Sequence, residues 1–420
     1  MGERPETGGP PARGDGELML GGLLDANHTT SMEDLAGTVT AHASMVGFSQ
    51  IMIYVTDLQQ LVLVPLPGQS DESGRPLEPI RIDTTLAGRA YRIVEVVRAR
   101  HSADGSADAA EGEGRRLWLP LLDGTERVGV LGVTVPVGDA IDERRARQLA
   151  SLISVLVLSK RPHSDSFARL TRRRPMSLSA EVLFNLLPPG TYATDDVVVS
   201  AALEPAYEVG GDAYDYALDS DTLHVSIFDA MGHDTSAGLT ATIAVGACRN
   251  QRLEGADLPT AAEAIDAAIA DQFVGRFATG ILADLNVVTG WLSWVNRGHH
   301  PPLVLRGGRW VATLGSEPDP PMGFRMRPST GLIGYQLQPD DRVLFYTDGI
   351  IEAQSPDGEL FGLERFIDFI IRHEADGLSA PETLRRLIQA ILLHQRGRLQ
   401  DDATVLMVEW RSRRQRRLVL

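Results

Sequence analysis

Two periodicities divide this chain: alternating apolar and polar positions that predict strands, and apolar positions three and four apart that predict helices. From residue 32 a helical pattern (Leu35, Val39, Ala43) leads into strand-like runs at 50–55 and 61–64, then a short helix near 86–91. Runs 116–121 and 128–133 flank the turn Asp123-Gly124 and read as a hairpin. Segment 142–160 places Leu149, Leu152, Ile153 and Leu156 on one helical face. A second short helix, 177–187, stops at Pro188-Pro189. Strands are predicted at 197–203, 222–228, 280–285, 291–295, 302–305, 342–346 and 403–410, with paired helices at 236–252 and 260–273 and again at 363–373 and 381–394. Strand runs with helices paired between them indicate an α+β sandwich rather than a βαβ repeat.

The expected organisation is an unstructured start at 1–22, an α/β sensor-like domain at 23–160 and a helical linker at 161–190. An α+β domain follows at 191–410, then a basic tail at 411–420. The linker helices have two readings: each packs on its own domain, or they form a parallel seam that makes a homodimer. Segment 101–114, rich in Ala, Asp, Gly and Ser, reads as a loop.

Composition narrows the function. With 420 residues the chain exceeds one compact core, and 43% hydrophobic with 23% charged residues is ordinary for a globular protein. A net charge of −16 argues against nucleic acid as the main partner, because phosphate contacts need a basic surface. The start lacks the apolar core of a signal peptide, and the longest apolar run, 149–158, falls short of the roughly 20 residues of a membrane span. Cys248 is the single cysteine and lies in an apolar helical pattern, which suits a buried thiol in a reducing compartment. The expected location is cytoplasmic.

The candidate chemistry lies in four acidic turns at strand ends. Asp212 follows Gly210-Gly211, Asp229 ends the run Thr222-Leu223-His224-Val225-Ser226-Ile227-Phe228, Asp348 precedes Gly349, and Asp401-Asp402 enters the last strand. Each alone is an ordinary turn sequence. Four carboxylates gathered in one domain repel unless protons or cations neutralise them. Oxygen ligands without a cysteine or histidine pair suit Mg²⁺ or Mn²⁺ better than zinc.

The motifs EVGGDAYDY, FDAMGHDTSAGL, NRGHHPPLVL, PPMGF, LFYTDGIIEAQSPDGELFG and LQDDATVLMV, in that order, resemble the metal-dependent protein phosphatase (PPM) family. The similarity is to its bacterial sporulation and stress-response branch and covers about 183–410. It implies a C-terminal αββα sandwich holding two Mn²⁺ or Mg²⁺ ions. Asp229 would bridge them, Asp212 and the backbone carbonyl of Ala230 would hold the second, and Asp348 and Asp401 the first. Asp402 is the alternative to Asp401, since the doublet leaves the register open by one. Gly232 and Gly349 would be turn glycines, and His299 a structural part of a hairpin. The resemblance implies hydrolysis of a phosphorylated serine or threonine by metal-activated water, on a regulatory protein of the anti-sigma-factor antagonist type. Asp234, where the family usually has glycine, would add negative charge near the site.

The N-terminal phrase LWLPLLDGTERVGVLGV ahead of a closing helix resembles a GAF domain, which implies a sensor role. No kinase-like module follows Trp410, so an opposing kinase is expected on a separate chain. Two other functions fit the same residues: a non-catalytic sensor or scaffold with a phosphatase fold, and a small-molecule phosphoesterase.

Overall fold

The computed structural model describes residues 14–100, 115–136, 140–204, 207–208, 210–232, 234–329, 331–397 and 399–411. The chain divides into two compact units, Met1–Arg173 and Arg174–Leu420. Among the described residues no helix is long and apolar enough to cross a membrane.

The first unit runs α1 (Asp15–Asn27), α2 (Leu35–Ala43), β1 (Ser49–Thr56), β2 (Val62–Pro65), β3 (Ile80–Arg81), α3 (Leu86–Ile93), β4 (Val97–Arg100), β5 (Arg115–Asp123), β6 (Glu126–Val135), α4 (Ala140–Lys160) and α5 (Asp165–Thr171). Its strands form one antiparallel sheet in the order β3-β2-β1-β6-β5-β4. The predicted hairpin is β5–β6, with Asp123 opposite Glu126 and Gly124 in the left-handed region at φ 56°. One core gathers Met19, Leu35, Val39 and Ile53 with Leu149, Ile153 and Leu156 of α4. A smaller cluster around Tyr54, Ile82, Tyr91 and Val130 sits with α3.

Three expectations change here. Residues 15–22, expected to be unstructured, lie in α1, because Met19 and Leu23 stand four apart and bury one helical face. Residues 1–13, the loop expected at 101–114 and residues 412–420 of the basic tail lie outside the described residues. The expected linker divides between the units: α5, capped by Ser164, belongs to the first. The seam between copies loses its basis on α4, since Leu149, Ile153 and Leu156 are already buried within the unit.

The second unit runs α6 (Leu178–Leu186), β7 (Thr191–Ala193), β8 (Val197–Glu204), β9 (Asp212–Asp219), β10 (Thr222–Ala230), α7 (Thr235–Leu253), α8 (Leu258–Gln272), β11 (Ala278–Asn286), β12 (Trp291–Arg297), β13 (Leu303–Arg306), β14 (Arg309–Thr313), β15 (Ile333–Gln336), β16 (Arg342–Tyr346), α9 (Asp348–Ile351), α10 (Leu363–Ala375), α11 (Ala380–His394) and β17 (Ala403–Trp410). One sheet has the order β15-β12-β11-β10-β9 and the other β14-β13-β16-β17-β8-β7.

Strand alternation explains the layering. Val343, Phe345, Leu406 and Val408 of the second sheet join a core with Val225 and Ile227 of the first. Their neighbours Leu344, Tyr346, Val405 and Met407 turn the other way, onto Phe366, Ile370, Leu387 and Ile391 of α10 and α11. Helices α7 and α8 cover the outer face of the first sheet. The architecture is therefore helix, sheet, sheet, helix: the expected αββα sandwich. Helix α6, capped by Ser177, buries Ala180 and Leu183 in this core. Strands β14 and β15 had no apolar alternation to reveal them, being largely exposed sheet edges.

Candidate active site

Antiparallel pairing delivers the acidic turns to one end of the sandwich. Asp212 opens β9 and Asp229 nearly closes β10, and the register sets the two directly opposite. Directly opposed residues share one face of a sheet, with Cβ atoms about 4.5–5.5 Å apart. In the other sheet β16 ends at Tyr346, Asp348 begins α9, and Asp401-Asp402 precede β17, which pairs with β16. The sheets are joined through Asp212 Oδ2, which accepts from Thr347 Oγ1 at 2.7 Å and Thr404 Oγ1 at 2.6 Å.

Glycine makes the approach possible at two points. A Cβ on Gly211 would lie 2.2 Å from the carbonyl oxygen of Ala230, and one on Gly349 only 1.9 Å from that of Asp402. Any side chain at either position would push an acidic turn out of place. Gly232, with φ 89°, is a turn glycine by conformation.

The two acids of the doublet have different surroundings. Asp402 is buried, and its carboxylate accepts from the backbone N–H groups of Gly210, Gly211 and Asp212, with donor distances of 2.7–3.1 Å. It clamps the loop that presents Asp212. Asp401 is exposed, and its Oδ1 accepts from the backbone N–H of Asp402 at 2.9 Å. Asp402→Ala is therefore expected to destabilise the fold by about 2–4 kcal/mol, because three buried donors lose a charged acceptor. Asp401→Ala is expected to change stability by less than about 1 kcal/mol. Urea unfolding of both variants checks this, and equal losses would refute the division of roles.

Crowding raises the acids. Burial pushes Asp229 up to about 7, aided by the negative charges of Asp348, Asp401 and Asp402. Burial likewise raises Asp212 well above the usual carboxylate range, with Asp229 and Asp402 adding to the effect and Thr404 and Thr347 opposing it. Asp402 rises to about 6, chiefly by burial, against the pull of its three backbone donors. Asp348 is raised by burial and Glu352, while His300 opposes the shift. Among the described residues, the donor atoms of His300, Asp348 and Glu352 come within 4.8 Å of one another, whereas no three of Asp212, Asp229, Asp348 and Asp401 are drawn that close. Uncompensated carboxylates repel, so this spacing is the expected one for the acids alone. An oxygen-only set of acids with raised affinity for positive charge fits hard divalent cations.

His299 is buried and neutral. Its Nδ1 lies 2.9 Å from Thr279 Oγ1 and its Nε2 3.1 Å from the carbonyl oxygen of Tyr346, and burial pushes its pKa down to about 3. Both ring nitrogens are engaged in joining β11 to the end of β16, as expected of a structural hairpin residue. Asp234 does not add free charge to the site. Its Oδ1 caps α7 by accepting from the N–H of Ala237 at 2.9 Å, and its Oδ2 lies 2.5 Å from Arg276. The cap was legible as an acid two residues before Ser236, whereas Arg276 lies in the loop between α8 and β11 and had no local signal. Thr347 and Thr404 were also missed: both lie inside quoted motifs, but nothing local shows that they converge on Asp212.

Residues 219–411 match the family model described as Stage II sporulation protein E (SpoIIE). Over this segment the chain is similar to that family. The match contains Asp229, Asp348, Asp401 and Asp402 and begins after Asp212. The chain is similar to Protein IcfG of Synechocystis sp., 24% identical over 270 residues that cover 56% of this chain and 41% of that protein. It is also similar to Phosphoserine phosphatase RsbP of Bacillus subtilis, 23% identical over 190 residues, covering 44% of this chain and 47% of that one. It thus spans less than half the length of these two curated relatives. A solved structure of the RsbU and RsbW domains of Rv1364c from Mycobacterium tuberculosis aligns with a TM-score of 0.43 at 24% identity, covering 53% of this chain and 62% of that one. All three similarities stop short of the whole chain, while the segment matched by the family model falls on the unit that carries the acidic centre.

Proposed function

We propose that this chain is a Mn²⁺- or Mg²⁺-dependent protein serine/threonine phosphatase. The observation that carries the reading is the convergence of Asp212, Asp229, Asp348 and Asp401 at one end of two facing sheets, inside and beside the segment matched by the family model. In this reading Asp229 would contribute to both ions, Asp212 and the Ala230 carbonyl would hold one, and Asp348 and Asp401 would hold the other. Asp401 is preferred to Asp402 in this reading because the Asp402 carboxylate already accepts from three backbone donors. Such ions would supply an acidified water and positive charge for the phosphoryl oxygens.

The protein's own part is to build and orient the donor set. Thr347 and Thr404 point one oxygen of Asp212 toward the second sheet. Asp402 fixes the Gly210–Asp212 loop, and Gly211 and Gly349 let the backbone close on it. A phosphorylated anti-sigma-factor antagonist is the proposed substrate, supported by the phosphoserine phosphatase among the relatives. The first unit is read as a GAF-like sensor, supported by its single antiparallel sheet with helices and the closing helix α4.

The test is release of phosphate by the purified chain from p-nitrophenyl phosphate and from a phosphoserine peptide. Release is expected with Mn²⁺ and is expected to stop with EDTA. Metal-independent release would overturn the reading, as would no release from either substrate, the outcome expected of a scaffold.

A further inference from the structure

Beside the acidic centre the second unit exposes an apolar and basic rim that the chemistry does not use. Three loops compose it. Met231 follows the Asp229–Ala230 strand end, its N–H donating to the carbonyl of Phe277 at 3.0 Å and its own carbonyl accepting from Arg276 at 3.0 Å. The loop after α8 carries Val274, which is fully exposed. The third loop carries Phe324-Arg325-Met326-Arg327, all exposed, with the Phe324 ring 5.1 Å from that of Phe277.

The third loop is held, not left loose. It belongs to the connection 314–332 between β14 and β15, longer than the roughly 12–15 residues beyond which structureless loops are uncommon and usually functional or disordered. Buried Asp266 of α8 accepts from the N–H groups of Gly323 at 2.5 Å and Arg325 at 3.0 Å. Buried Asp319 accepts from the N–H of Ser329 at 2.6 Å. Arg297, also buried, donates to the carbonyl of Pro320 at 2.8 Å. Large apolar side chains on a backbone pinned this firmly are displayed at fixed positions, as a preformed recognition surface requires.

The distance to the chemistry fits a substrate. Ala230 pairs with Ala278, which bridges to Met322, so the loop starts two strand spacings from the Asp229 strand, about 10 Å. An extended peptide covers that in about three residues. Arg325 is paired with Asp271, while exposed Arg327 lends the loop a positive charge that complements a phosphorylated partner.

We propose that Met231, Val274, Phe324 and Met326 dock apolar side chains about two to four residues from the phosphoserine of the substrate protein, with Arg327 attracting its negative charge. This rests on the phosphatase reading, and the experiment separates the two. The full chain is given two synthetic phosphoserine peptides, one with leucines and one with serines at the second to fourth positions on both sides. p-Nitrophenyl phosphate, which has nothing to dock, reports the chemistry alone. Wild type is expected to favour the leucine peptide by about tenfold or more in kcat/KM, and Phe324→Ser/Met326→Ser to lose that preference with p-nitrophenyl phosphate turnover unchanged. Equal use of the two peptides by wild type would overturn the docking surface while leaving the phosphatase reading intact. A preference that persists in the double variant, or a parallel fall on p-nitrophenyl phosphate, would also overturn it. No turnover of any substrate would overturn both.

Discussion

Asp229→Asn is expected to reduce Mn²⁺-dependent phosphate release by at least about a thousandfold, equivalent to about 4 kcal/mol of transition-state stabilisation. Asparagine keeps the shape and removes the charge. Asp229 is the acid facing all the others: it stands opposite Asp212 and feels the charges of Asp348, Asp401 and Asp402. The fold should survive, because Asp229 is half-buried and joins no hydrogen bond that holds the two sheets together, unlike Asp212. Activity from phosphate release and melting temperature in EDTA are measured together. Lost activity with a melting temperature equal to or above wild type is the expected pair, and retained activity would remove Asp229 from the centre.

The metal-free chain is expected to lose stability as pH rises from about 4 to 7. The folded-state pKa of Asp229 is raised to about 7 and that of Asp402 to about 6, both from an ordinary 3.8. An acid with a higher pKa when folded binds more protons in the folded state. Its contribution is fully present below the unfolded pKa and is lost as pH climbs through the folded one. The window therefore runs from about pH 4 to 7, and the combined effect is on the order of a few kcal/mol, or several degrees in melting temperature. A bound divalent cation replaces the proton as the compensating charge, so Mn²⁺ should raise the melting temperature most at pH 8 and flatten the profile. Thermal melts across pH, with EDTA and with Mn²⁺, check this. A metal-free melting temperature that is flat or rises over this range would contradict the crowded-acid account.

Much of the second unit was legible because its strands are buried on alternating faces, so that the final strand was read with the bounds the structure shows. The acidic turns were legible because each ends or begins an apolar run, with glycine directly beside Asp212 and Asp348. What pattern does not carry is contact between distant segments. Asp401 and Asp402 are adjacent and chemically identical, and only the approach of the Gly210–Asp212 loop separates a clamp from a candidate ligand. Asp234 read as an extra site charge because its partner, Arg276, lies 42 residues away. The α1 helix was obscured by Gly-rich surroundings, although Met19 and Leu23 carried its spacing. The edge strands β14 and β15 pair through backbone groups that no side-chain pattern records.

The central claim is that Asp212, Asp229, Asp348 and Asp401 together hold two divalent cations. Counting Mn²⁺ bound per chain by equilibrium dialysis at pH 8 tests it directly, with wild type beside Asp229→Asn. The account predicts two ions per wild-type chain and fewer than two in the variant. A folded wild-type chain that binds no Mn²⁺, or a variant that still binds two with undiminished affinity, would contradict it.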